Sequence, residues 1–152
     1  MKIEEFLKNH KLNTYIQLGG FNYLLDKWES VVKRIPFNER CQRDDYLCYV
    51  STRETIQDII DNCEVDHNSL NRILEADEKF KNKTIKVNYL FSRNIYNDNP
   101  VKQWYFFRVP PERIPNWYPM KSEEMEIYSK WVKDKENVIE SDTGSLSEIL
   151  CK

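Results

Sequence analysis

The sequence predicts a mainly α-helical protein with a small β-hairpin, an α+β fold in which about four helices pack around one core. Apolar residues recur at helical spacing in several segments, whereas residues 84–91 alternate and are rich in β-branched and aromatic types. The 152-residue chain is 40% hydrophobic and 32% charged, which suits a soluble globular chain. We expect one domain over residues 1–152, with 140–152 as a loose C-terminal tail.

The first long helix is predicted over about 20–35. Gly19 and Gly20 break the chain before it, and Pro36 stops it. Its inner face is one stripe at i, i+3, i+4 and i+7 spacing: Phe21, Leu24, Leu25, Trp28, Val31, Val32 and Ile35. A short helix over 3–9 is expected before the glycines.

Two further helices follow. The second begins near Asp44 or Asp45, either of which can cap it, and frays near residues 62–63. Ser51 and Thr52 weaken this helix locally and allow a break there. The third begins at Ser69 as its cap and ends around residue 82, with one apolar side: Leu70, Ile73, Leu74 and Phe80.

The hairpin is predicted near residues 84–109. Residues 84–91 form its first strand, residues 94–100 its turn and residues 101–109 its returning strand. A proline-rich loop comes next, and a last helix is expected from Ser122 to about residue 139.

Composition excludes several classes of protein. No apolar run approaches the ~20 residues needed to span a bilayer, and the acidic N-terminus does not look like a signal peptide. The four cysteines match no disulfide framework, so we expect a reduced, cytoplasmic protein. We find no phosphate-binding loop, dinucleotide fingerprint or nucleophile elbow, and we predict no cofactor and no enzymatic activity.

Cys63 and His67 have the spacing of two ligands on one helix face. Zinc sites need three or four such ligands, and no nearby residue completes the set. The favoured interpretation is a half-buried thiol beside a surface histidine, and no metal is predicted.

Three charged residues lie on or beside the apolar stripes: Glu29, Arg53 and Asp77. Because a lone charge in a core is destabilising, such residues are usually paired. We expect Arg53 to bridge the helices through Asp77, Glu29 or both, as a structural ion network. The alternative is a small enzyme with an acid–base cleft at these residues.

Acidic residues are concentrated in the segment 41–66, which holds seven against two basic residues. Glu54, Asp58 and Asp61 occupy one outer face of the second helix, where like charges oppose the isolated helix. Such a face favours a basic partner.

The aromatic run 104–107 lies near several lysines in the sequence, as expected of a protein that stacks bases on aromatic rings. A second alternative is therefore a small nucleic-acid-associated or regulatory protein. The net charge of −2 makes nucleic acid an unlikely partner.

Residues 20–110 resemble a diffuse family of small, mostly uncharacterised bacterial proteins. The resemblance depends on a WE-type first helix, a DY…R second helix, an LD..F third helix and an FRVP block. The matching residues are Gly20, Leu24, Leu25, Trp28, Glu29, Val32, Asp45, Tyr46, Arg53, Leu74, Asp77, Phe80 and Trp104 to Pro110. The family implies no catalytic residues.

The chain also resembles, in kind, the immunity proteins of contact-dependent growth inhibition. This resemblance implies a cytoplasmic protein that neutralises a cognate toxin domain, often a nuclease, by occluding its active site. The exposed acids would contact basic toxin residues, and aromatic side chains would anchor the interface. The implied partner-binding residues are Asp44, Asp45, Tyr46, Glu54, Asp58, Asp61, Tyr105 and Trp117.

Overall fold

The computed structural model describes residues 1–10, 12, 14–86 and 101–117. The described part is mainly helical with one small antiparallel sheet, which confirms the predicted fold class. In the described residues no helix has the length and apolar character needed to cross a membrane. The predicted continuation of the first strand, the hairpin turn, the last helix from Ser122 and the tail 140–152 lie outside the described residues.

Helix α1 spans Ile3–Asn9, and α2 spans Thr14–Arg34. The predicted break at the glycines is a kink inside α2, where Gly20 has a φ of 67°. A residue with a side chain adopts this backbone conformation only with strain, so glycine allows the two parts of α2 to change direction. The second part carries the predicted stripe, and Trp28 and Val31 are fully buried.

Helix α3 spans Arg43–Asn62 without a break. The Ser51 hydroxyl donates to the Leu47 carbonyl one turn earlier at 2.8 Å, a bond that serine can make inside a continuous helix. The predicted aspartate cap is wrong in detail. Gln42 is the N-cap, and Asp45 lies inside the first turn and accepts the Gln42 backbone N–H at 2.9 Å.

Helix α4 spans His67–Lys83. Its cap is Asp66 rather than the predicted Ser69. The Asp66 carboxylate accepts the backbone N–H of Ser69 at 2.8 Å, so Ser69 is the third residue of the first turn and receives the capping bond.

Strands β1 (Ile85–Lys86) and β2 (Arg108–Val109) pair antiparallel, with Ile85 opposite Val109. This pairing confirms a small antiparallel sheet near residues 84–109. The returning strand is wrong over most of its length, because Trp104–Phe107 forms a 3₁₀ helix. An extended strand would have sent alternate side chains to opposite faces, whereas all four aromatic side chains here are buried.

A second 3₁₀ helix, Pro111–Arg113, leads into the short helix α5, Ile114–Trp117. Helix α2 packs against both α3 and α4, and the aromatic 3₁₀ helix packs against α3. The described residues share one hydrophobic core, in which the rings of Trp28 and Phe80 lie 5.1 Å apart. Full burial of each large apolar side chain contributes about 1.5–3 kcal/mol.

Candidate functional site

A buried ion pair joins α3 to α4. The Arg53 Nε donates to Asp77 Oδ1 at 3.0 Å, and Nη2 donates to Oδ2 at 3.0 Å. The two side chains are only 1% and 2% exposed. Trp28 of α2 donates its indole N–H to the same Asp77 oxygen at 3.0 Å, so one carboxylate holds three helices together. The predicted pairing of Arg53 with Asp77 is confirmed.

Aromatic rings cover the Arg53 guanidinium. Its central carbon lies 5.4 Å from the Tyr105 ring centre and 5.9 Å from that of Trp104. Burial raises the pKa of the Tyr105 phenol, and the positive charge of Arg53 opposes this shift. The phenol is therefore protonated at neutral pH. These residues form an enclosed structural cluster.

Glu29 does not join this pair, which corrects the predicted three-residue network. Because Glu29 is one residue beyond Trp28, it lies about 100° further around α2 and faces away from the core. There it accepts hydrogen bonds from Arg72 of α4, whose Nη2 also lies 2.8 Å from Asp26 Oδ1. The open cleft required by the enzyme alternative is therefore not formed by Glu29, Arg53 and Asp77.

The predicted acidic face of α3 consists of Glu54, Asp58 and Asp61. Burial raises the pKa of the Asp58 carboxyl, and the charges of Glu54 and Asp61 raise it further, while His10 lowers it. No lysine or arginine among the described residues forms a salt bridge with Asp58 or Asp61. Asp58 therefore lies between two like charges on the same helix face.

Neutral amides hold the acidic face in place. Arg53 Nη1 donates to Gln57 Oε1 at 3.1 Å, and Gln57 Nε2 donates to Asp61 Oδ1 at 2.9 Å. Gln103, before the aromatic 3₁₀ helix, donates to Glu54 at 2.7 Å. The buried ion pair is therefore linked through Gln57 to a surface carboxylate.

The two remaining predicted acids lie at the start of α3. Asp44 is exposed and 3.8 Å from the Arg43 guanidinium. Asp45 is exposed as well and accepts the Gln42 N–H described above. Both stabilise the positive end of the helix dipole, which is a structural use of their charge.

The three predicted aromatic anchors are buried, so their proposed role at an exposed surface is wrong for this conformation. Tyr46 donates its hydroxyl to the Arg108 carbonyl, Trp117 donates its indole N–H to the Cys41 carbonyl at 2.9 Å, and Tyr105 covers Arg53. The physical reason is that the segment 104–117 folds back over α3. Each polar aromatic atom that is buried there needs an internal partner.

Sequence reasoning missed a second buried cation, Arg108. It donates to the carbonyls of Lys81 and Thr84 at 3.1 Å and to the Thr84 hydroxyl at 3.0 Å. These carbonyls lie at the C-terminal end of α4, where a positive charge is favourable. The threonine that ends α4 and the arginine after an aromatic run were the available signals.

The lysines near the hairpin do not form one nucleic-acid surface with the aromatic run. Lys81 is buried, with its Nζ 4.5 Å from the Trp104 ring centre, and Lys83 donates to the Val32 carbonyl at 2.9 Å. Because Trp104 to Phe107 are buried, they present no ring face for base stacking.

Cys63 and His67 do not share a helix. Cys63 caps the end of α3, whereas His67 is the first residue of α4 and is exposed. Burial raises the pKa of the Cys63 thiol. In the part of the chain that the structure describes, no three residues of histidine, cysteine, aspartate or glutamate are grouped to hold a metal ion.

Comparisons with family models, with curated proteins and with solved structures found no match. The resemblances to a bacterial protein family and to immunity proteins therefore stay predictions.

Proposed function

We propose that this chain is an immunity-type binding protein that neutralises a cognate bacterial toxin by binding tightly over its active site. The observation that carries the proposal is the acidic face of α3. Glu54, Asp58 and Asp61 project from one side of a helix whose other side is fixed in the core. A rigid row of carboxylates suits a basic surface, such as the substrate channel of a nuclease.

The electrostatics of the acidic face support binding to a basic partner. Burial, and then the like charges of Glu54 and Asp61, raise the pKa of the Asp58 carboxyl, so its negative charge is disfavoured in the free protein. A basic partner would stabilise this charge on binding. An interface of ~800 Å² per partner would extend well beyond the three carboxylates.

Apolar contacts at such an interface need side chains other than the buried aromatics. Val101 is 73% exposed and lies two residues before Gln103, whose amide binds Glu54. Tyr15 and Leu18 are 73% and 83% exposed and lie three residues apart on α2. Val101 therefore replaces Tyr46, Tyr105 and Trp117 as the candidate apolar contact beside the acidic face, and Leu18 is a further exposed apolar side chain of the described residues.

The first experiment is genetic and biochemical. The gene immediately upstream should encode a large secreted toxin, and co-expression with this chain should protect cells from the toxin domain. The two purified proteins should co-elute in size-exclusion chromatography. Independent elution at micromolar concentration would contradict the proposal.

A charge variant locates the interface. Glu54→Gln, Asp58→Asn and Asp61→Asn together should slow association with the toxin by at least about tenfold at low salt, because electrostatic steering is lost. The matched control removes three exposed acids elsewhere, Glu39→Gln, Glu75→Gln and Glu78→Gln. Equal slowing in both variants would reject the α3 face and leave only an effect of net charge.

A further inference from the structure

A cleft of about 470 Å³ lies where α2, the loop after it and α3 meet. The segment 111–117 binds the backbone of the loop that forms one wall of this cleft. Arg113 donates to the carbonyls of Pro36 and Phe37, and Trp117 donates to the Cys41 carbonyl. The loop is thus fixed in shape by contacts distant in sequence, and the cleft is formed before any ligand enters.

Arg34 presents its guanidinium to this cleft. The central carbon lies 4.7 Å from the ring centre of Tyr49 and 5.9 Å from that of Phe37. A guanidinium stacked on a ring keeps its edge N–H groups available for an acceptor in the guanidinium plane. Because the flat face of the Arg34 guanidinium already packs on a ring, the side chain loses less conformational entropy when a ligand binds.

A second arginine, Arg40, lines the same cleft. Its backbone is fixed in the loop, because the Arg40 backbone N–H donates to Asn38 Oδ1 at 2.9 Å. Within the described residues, neither Arg34 nor Arg40 is within salt-bridge distance of a carboxylate. Both side chains are solvent-accessible.

The balance of charge in the cleft is positive. Asp45 is the one carboxylate among its described lining residues, and one of its oxygens already accepts the Gln42 N–H at the start of α3. Cys41 adds no negative charge at neutral pH, because burial and then the charge of Asp45 raise the pKa of its thiol. Two cations therefore face one partly engaged anion.

We propose that this cleft binds the oxyanion of a small molecule, a phosphate or a carboxylate, through the guanidinium groups of Arg34 and Arg40. The planar donor fork of arginine matches two oxygens of either group. The half-buried rings of Phe37 and Tyr49 line the cleft beside it and can contact an apolar part of the ligand. This binding site is separate from the acidic face of α3, and it does not depend on the proposed toxin-binding function.

The test is a titration of the whole chain followed by ¹H–¹⁵N NMR, with the Arg34 and Arg40 Nε–H signals observed directly. Inorganic phosphate, adenosine monophosphate and citrate are added separately at constant ionic strength, with sodium chloride as the salt reference. We expect saturable shifts of both arginine signals and of the Tyr49 amide. Tighter binding of citrate than of either phosphate identifies the ligand as a carboxylate, and tighter binding of the nucleotide than of phosphate identifies a phosphate that bears a ring.

The variants Arg34→Gln and Arg40→Gln should each weaken binding by at least about tenfold, the effect of losing charge-assisted hydrogen bonds. Thermal melts verify that each variant folds. The matched control is Arg43→Gln, which removes the same charge just outside the cleft lining. The proposal is overturned if no probe gives saturable shifts, or if Arg43→Gln weakens binding as much as Arg34→Gln.

Discussion

Two arginine–carboxylate clusters tie α4 to its neighbours, and they differ in their environment. Arg53 and Asp77 are sealed under Trp28, Trp104 and Tyr105, with side chains no more than 2% exposed. In the second cluster, Arg72 is 36% exposed and binds two acids of α2, which are 73% and 43% exposed. Chemically similar pairs therefore hold α4 in two different dielectric surroundings.

The difference shows where an ion pair is needed for the stability of the fold and where it contributes little. In the buried cluster Arg53 and Trp28 both donate to Asp77, and the two ions are almost fully buried, so removing either ion leaves its partner charged without water. In the surface cluster water replaces a lost partner, and dissolved salt screens the attraction. The hydrogen bonds that Arg72 donates to Glu29 and Asp26 still raise the pKa of its guanidinium, so that side chain stays charged throughout the ordinary pH range.

The largest expected effect comes from breaking the buried pair. Arg53→Ala should lower the free energy of unfolding by about 3–5 kcal/mol, because Asp77 is left as a buried charge without its cation. Urea unfolding followed by circular dichroism measures it. The double variant Arg53→Met with Asp77→Leu should recover much of the loss. A stable Arg53→Ala single variant would contradict the structural role.

Removing the third partner of Asp77 should have a smaller effect. Trp28→Phe deletes the indole N–H that Asp77 accepts, and we expect a loss of about 1–3 kcal/mol. The matched control is Trp104→Phe, which makes the same chemical change in a ring that also covers Arg53 but forms no hydrogen bond with Asp77. If the two variants lose equal stability in urea, packing rather than the hydrogen bond explains the effect.

The surface cluster should contribute less. Arg72→Ala is expected to reduce the free energy of unfolding by less than about 1 kcal/mol, because the pairs are solvent-exposed. The difference from wild type should shrink as sodium chloride is added, since salt screens exposed charges. A loss as large as that of Arg53→Ala would remove the contrast between the two clusters.

The smallest expected effect is a gain at the acidic face. Since the folded-state pKa of Asp58 is raised above 3.8, folding disfavours its charge at neutral pH. Asp58→Asn should therefore stabilise the chain by roughly 0.2–0.5 kcal/mol at neutral pH, the size of a like-charge pair on a helix. The advantage should vanish as pH falls through the folded pKa. Thermal melts at pH 7 and at mildly acidic pH measure the change; a gain independent of pH would point to helix propensity instead.

The sequence was sufficient to predict the helices that carry apolar stripes and the ion pair that lies on them. Arg53 and Asp77 stand among apolar residues at helical spacing, so pairing was the expected way to bury both. Glu29 is one residue outside its stripe, and one residue is about 100° of rotation on a helix. That rotation separates a core position from the surface contact with Arg72.

The segment 104–117 could not be predicted in the same way. Local alternation suggests a strand with one exposed face, but it does not reveal that all four side chains of the aromatic run are buried, with Trp104 against Phe80 of α4 and Tyr105 over Arg53 of α3. Tyr46 and Trp117 are buried for the same nonlocal reason, because their acceptors are the carbonyls of Arg108 and Cys41. The arginine cleft likewise depends on a loop shaped by residues far along the chain.

The kink at Gly20 divides α2 into parts of unequal anchorage. Among the residues of α2 before it, Ile16 alone is buried, whereas the part after it carries Trp28 and most of the α2 core. Native-state hydrogen exchange should therefore release the amides before Gly20 by a local opening of low free energy. The amides around Trp28 should exchange only when the whole molecule unfolds, so one glycine would separate two cooperative units within a single helix.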